Sequence, residues 1–201
     1  LYYFNGKLGA ARDCEKARQF ALQSARQKVL RAYQLLANSY ESDICGPPDY
    51  KESTRWLLNA ANEGDPGAAQ VLGVHYWQGS GVEQNFEEAH KWFLKAANQG
   101  DAVAMYQLAL MYLGDGRKLD LVQAMTWIEL AQKAGIKDEY TTQRLKLMRQ
   151  KWSAQLKPEQ RQEVDQRVAQ FQPQPLLPQS IEREWQEDLE NASNWDSQHQ
   201  R

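Results

Sequence analysis

From Asp65 to Gly100 the apolar positions fall three and four residues apart in two successive blocks, the spacing of half-buried helices. In the first block Ala68, Leu72, Gly73 and Tyr76 share a face. Asp65 is placed to cap the free first-turn amides, and Pro66 occupies the first helical position, where no amide is missed. This helix is expected to run to about Trp77, with Gly79 and Gly81 supplying the positive-φ backbone that breaks it. The second block opens at Asn85, with Glu88 three residues on, a capping-box pattern that recurs as Asp49 with Glu52 and Asp120 with Gln123. Its stripe is Ala89, Trp92, Phe93, Ala96 and Ala97; Gly100 ends it and Asp101 at once caps the next helix.

That two-helix unit is written more than once. TRWLLNAANEGD ends at Asp65 and HKWFLKAANQGD at Asp101, so Ala60 and Ala96, Gly64 and Gly100, and Asp65 and Asp101 are each 36 apart. The same step links Phe20, Trp56 and Trp92, and a step of 35 reaches Trp127. Neighbouring columns keep the register: Phe4, Tyr40, Tyr76 and Tyr112; Leu36, Leu72 and Leu108; Ala17, Ser53, Ala89 and Ala124; Asp13, Asp49, Asn85 and Asp120. The shorter last step is one residue lost between Tyr112 and Gly116, in a loop. A unit of this size cannot bury its own apolar face, so the units must stack; the fold class is all-α, an α-solenoid over residues 1–135. Beyond Gly135 the repeat fades. Residues 136–171 read as two capping helices, with Leu145, Met148 and Trp152 inward on one and Val164, Val168 and Phe171 on the other. QPQPLLPQ, residues 172–179, reads as an extended proline-rich linker, and 180–201 as a short acidic amphipathic helix and tail with Ile181, Trp185 and Leu189 on one face.

Composition narrows the function classes. With 201 residues, 25% charged and a formal net charge of −2, the chain lacks the basic excess that tracks nucleic-acid phosphates. No apolar run approaches the roughly 20 residues of a spanning helix. Because it begins at Leu1, partway through a repeat, residues before it are expected to have been removed. Cys14 and Cys45 are the two cysteines, and they form no metal-type C-x-x-C. Cys14 follows the Asp13 cap and Cys45 lies in an interhelical loop, so either a disulfide staples the first unit to the second or both are free thiols; the register favours the bridge, and with it a periplasmic or secreted location.

The pattern A-x-x-x-L-G-x-x-Y-x-x-G-x-G-V over Ala68–Val82, followed by A-x-x-W-x-x-x-A-A-x-x-G over Ala89–Gly100, resembles the Sel1-like repeat, a relative of the tetratricopeptide repeat. The 29–64 copy departs from it with Ala37 at the first glycine and Cys45-Gly46-Pro47-Pro48 in the loop. The resemblance implies a scaffold or adaptor, in many cases of the bacterial envelope, and, because some relatives bind or hydrolyse β-lactams, an alternative as a β-lactam- or cell-wall-fragment-binding hydrolase. Asp13-Cys14, AYQLL from Ala32 and Cys45 are further similar to the MotX-like periplasmic proteins that support flagellar motor assembly.

Little chemistry is written into the residues. Glu87 and His90 could hold a metal at i, i+3, but without a third ligand a solvated face is the better reading. No nucleophile elbow, zinc-helix motif or phosphate loop occurs, so no catalytic residue, metal or cofactor is expected. What remains is surface. First helices should line a concave groove for a protein or peptide, with Tyr33, Asn38, His75, Trp77, Met105, Gln107 and Met111 as its non-core positions. Trp77 is either a rim packing residue or a binding anchor. The tail helix, through Ile181, Trp185 and Leu189, docks on a partner or another copy, or folds back on its own solenoid.

Overall fold

The computed structural model describes residues 14–114 and 118–174. Among them lie nine α-helices and a short 3-10 turn, in the order α1 (Cys14–Arg26), α2 (Leu30–Glu41), the turn (Asp43–Cys45), α3 (Tyr50–Asn62), α4 (Pro66–Gln78), α5 (Phe86–Asn98), α6 (Ala102–Tyr112), α7 (Leu121–Ala134), α8 (Glu139–Ser153) and α9 (Pro158–Gln170). Each helix from α1 to α8 packs on the helices next to it in sequence, and α9 turns back onto α7. This serial packing is an α-solenoid. Phe4, Asp13, Gly116 and the tail face of Ile181, Trp185 and Leu189 lie outside the described residues.

The unit closes by two bonds that recur with the period. Asp49, Asn85 and Asp120 cap α3, α5 and α7, their side chains accepting from the amides of Glu52, Glu88 and Gln123 at 3.0 Å. The reciprocal arm of a capping box is not made here. The backbone N–H groups of Asp49, Asn85 and Asp120 donate instead to the carbonyls of Tyr40, Tyr76 and Tyr112, at 2.7, 2.8 and 2.8 Å, which ties the start of each second helix to the end of the first. The one-residue deletion before Asp120 leaves that bond intact, which is why the loop tolerates it.

Between units the chain stops and restarts a helix within three residues. At the end of α5 the Gly100 N–H donates to Ala97 and the Asp101 N–H to Ala96, a Schellman ending with Gly100 at φ 95°. The Asp101 carboxylate then accepts from Ala104 at 2.7 Å, opening α6. Gly64 and Asp65 repeat the arrangement one unit earlier. Burial pushes both aspartate carboxyls above their ordinary value, although the capping amides pull the other way.

Small residues set how closely the layers approach. Ala60, Ala61, Ala96, Ala97 and Ala131 are fully buried at the ends of the second helices. A Cβ built on Gly81 would sit 2.2 Å from the Tyr50 carbonyl oxygen, so the α4–α5 loop lies directly on the start of α3. Leu145 and Val164 seal the far end from α8 and α9, with Met148, Trp152, Val168 and Phe171 packed around them.

Candidate functional site

The groove expected on the first helices is mostly filled. Tyr33, His75, Met105 and Met111 are buried, at 7, 3, 1 and 0% exposure, so they are core residues and not an open binding face. The physical reason is that each first helix lies between two second helices: α4 packs on both α3 and α5, and α6 on both α5 and α7. A helix covered on two sides buries more than one stripe, and the apolar residues of α4 and α6 accordingly run around the helix. Asn38 is exposed, Gln107 half-buried, and Trp77 half-buried with its ring edge-on to Phe93 at 5.8 Å. The most exposed large apolar side chains lie off the first helices, at Phe20, Ile44, Leu119, Tyr140 and Leu147. On α8, Arg144 spans Tyr140 and Tyr106, 5.8 and 6.0 Å from their ring centres.

His75, expected from the sequence at an open groove position, forms a buried polar joint. Its Nδ1 hydrogen-bonds the Thr54 hydroxyl at 2.7 Å and its Nε2 lies 3.1 Å from a Glu41 carboxylate oxygen, which also accepts from Ser53. Burial pushes the Glu41 carboxyl up, but the hydrogen bonds from His75 and Ser53 and the His75 charge outweigh it and hold the group below the ordinary glutamate value. Hydroxyl, imidazole and carboxylate in a row resemble a nucleophile and its base. Thr54 and His75 are, however, 2 and 3% exposed, so the hydroxyl and the imidazole sit inside the α2–α3–α4 packing, where no substrate reaches the hydroxyl, and only Glu41 keeps some exposure.

The same position links each second helix to the next first helix. One unit earlier Arg18 donates to the Ser39 hydroxyl at 3.1 Å and its carbonyl at 2.6 Å, and lies 4.3 Å over Tyr40. One unit later His90 hydrogen-bonds the Tyr112 hydroxyl at 2.9 Å, which turns it to the joint rather than to a metal shared with Glu87. Among the described residues no three His, Cys, Asp or Glu side chains cluster closely enough to hold a metal ion, and no helix is long and apolar enough to cross a membrane. Cys14 and Cys45 are bridged, with Cα atoms 5.6 Å apart, tying the start of α1 to the turn after α2.

A second surface was not visible as a site in the sequence. After α9 the chain turns extended at Phe171 and crosses back over the stack. Phe171 meets Trp127 edge-on at 5.9 Å, Pro173 lies over Gly100, and the Gln174 N–H donates to the Asn98 carbonyl at 2.7 Å. Beside this strap an open cavity of about 290 Å3 is lined by Met105, Leu130, Lys133 and Ala134. The proline-rich composition announced an extended segment; nothing in it announced where the segment would lie.

Stacked helix pairs, polar joints between the layers and grooves left at the edges define a helical-repeat solenoid, a class that works through its surface. The repeat is Sel1: the Sel1 repeat family matches residues 1–29, 30–65, 66–101 and 102–135, and the chain belongs to that family. Sel1-repeat proteins are generally protein-interaction scaffolds and typically not enzymes. Two solved structures are similar. One is a protective antigen present in uropathogenic Escherichia coli strains and displaying an SLR fold, 28% identical with a TM-score of 0.67, matched over 85% of this chain and 35% of the antigen. The other is a Sel1 repeat protein from Oxalobacter formigenes, 26% identical with a TM-score of 0.64, matched over 84% of this chain and 68% of that protein. This chain thus spans about a third of the antigen's length. Curated proteins gave no match.

Proposed function

We propose that the chain is a protein-interaction scaffold of an oxidising compartment, periplasmic or secreted, and has no catalytic role of its own. The observation that carries the compartment is the Cys14–Cys45 bridge, which ties the start of α1 to the turn after α2 with a bond that a reducing cytosol would not maintain. Membership of the Sel1 family supports the scaffold. The likeness of Asp13-Cys14, Ala32–Leu36 and Cys45 to MotX-like proteins makes a flagellar motor, or another periplasmic complex, the assembly to test first. The contact surfaces of this reading are the side chains that keep exposure on the first helices, Asn38, Trp77 and Gln107, and the tail face of Ile181, Trp185 and Leu189.

The test is capture of partners from an envelope extract by the intact chain, compared with Asn38→Lys/Gln107→Lys and with Trp185→Ala/Leu189→Ala. At least one variant is expected to lower recovery of a specific protein about tenfold, the loss of one anchor of about 1.4 kcal/mol or more. Equal recovery by all three sinks both surfaces. Thiol titration of the denatured, unreduced protein isolated from its own cells is expected to find no sulfhydryl; finding both cysteines free would remove the compartment.

A further inference from the structure

We propose that residues 171–174 are a built-in occupant of a peptide groove on the inter-repeat edge, and that the groove's external ligand is an extended, proline-containing peptide that takes the strap's place. This rests on the scaffold reading and names the chemistry of its partner.

Three features of the edge recognise such a peptide, and each is seen filled by the strap. Asn98 is the last residue of α5, where helix carbonyls have no partner within the helix. It accepts the Gln174 N–H, a bond that any peptide backbone could make. Gly100 presents no side chain, and the Pro173 ring packs over it, 3.5 Å from where a Cβ would stand. Two residues before, Phe171 anchors edge-on against Trp127. The backbone at Phe171, φ −67° and ψ 124°, is close to polyproline II, the conformation that proline-rich peptides adopt at little entropic cost.

The occupancy is shallow, which is what makes it exchangeable. Gln172, Pro173 and Gln174 are exposed, and the open cavity between Phe171 and Pro173 on one side and Met105, Leu130, Lys133 and Ala134 on the other has room for a further apolar side chain. A contact this small holds because the strap is tethered to α9, which keeps it at high effective concentration. The track also has a preformed continuation, since Asn62, Gly64 and Asp65 repeat the helix ending of Asn98, Gly100 and Asp101 one unit earlier.

The test is fluorescence anisotropy of a labelled peptide with the sequence of residues 171–179, titrated with the full chain and two full-length variants. Phe171→Ala/Pro173→Ala removes the strap's anchors, and Gln174→Pro removes only its N–H donor. If the strap is docked about nine-tenths of the time, the peptide binds either variant about tenfold more tightly than the unaltered chain. Equal affinity for all three chains, or no measurable binding to the variants, overturns the proposal. So does a dimer of the unaltered chain in sedimentation that both variants dissociate, because the strap would then sit on a second copy. Peptide results as expected with no partner captured from extract would defeat the scaffold reading alone, and the reverse would defeat the strap alone.

Discussion

A buried imidazole needs partners, and those of His75 come from two other helices, Glu41 on α2 and Thr54 on α3. The pair gives the α2–α3–α4 joint a pH dependence whose sign follows from Glu41. Its carboxyl is held below the ordinary glutamate value in the fold, so its contribution to stability is fully present above that ordinary value and is lost as pH falls through the lower folded-state value. Glu41→Gln is therefore expected to lower stability by about 1.5–3 kcal/mol near pH 7, the range for hydrogen bonds to a charged group. In thermal melts across the acid range below pH 7 the gap between the two proteins should close as the Glu41 carboxylate takes up its proton, below the ordinary glutamate range. A gap that stays constant would mean that the carboxylate charge is not what matters.

At the level of the helix, position 73 shows why the repeat varies where it does. A Cβ built on Gly73 would lie 2.5 Å from the Phe93 ring, so α4 can accept that phenylalanine only because it has a glycine there. In the flanking units the register puts Ala37 with Leu57 and Ala109 with Ile128, all buried. The aromatic ring goes with glycine and the aliphatic side chains with alanine, so each pair fills its layer. Gly73→Ala gains helix propensity of about 1 kcal/mol but overpacks Phe93, and a net loss of about 1–2 kcal/mol is expected. Adding Phe93→Leu to Gly73→Ala should recover most of that loss, a coupling of about 1 kcal/mol in a double-mutant cycle read by urea denaturation. Strict additivity would show that the glycine serves another purpose. Arg18, Thr54 and His90 tell a similar story in polar terms. They occupy one joint position with three chemistries, which favours each unit stacking on its own neighbour.

For the whole molecule, serial packing means that each unit leans only on the next, so damage at one end stays near that end. The Cys14–Cys45 bridge spans 31 residues and by loop-closure entropy is worth about 3–4 kcal/mol. Reduction should therefore fray α1 while sparing α4 to α7. By hydrogen exchange, amides of α1 are expected to lose protection by about two orders of magnitude on adding dithiothreitol, those of α6 by less than about twofold; uniform loss would show that the stack unfolds as one unit. At the other end α9 folds back over α7, a helix-on-helix packing that departs from strict neighbour order.

Residue order alone was enough for the all-helical solenoid, its period, the caps at Asp49, Asp65, Asn85, Asp101 and Asp120, and the glycine stops; it favoured the pairing of Cys14 with Cys45 without deciding it. All of these depend on local geometry repeated at a constant spacing, and the spacing is visible in one dimension. The tertiary structure decided which faces remain open. A single helix shows one apolar stripe, whereas a first helix held between two second helices buries Tyr33, His75, Met105 and Met111 as well, and only the packing reveals that second layer. It also decided where residues 171–174 lie, because a four-residue contact through one backbone N–H, one proline ring and one aromatic edge leaves no periodic mark in the sequence.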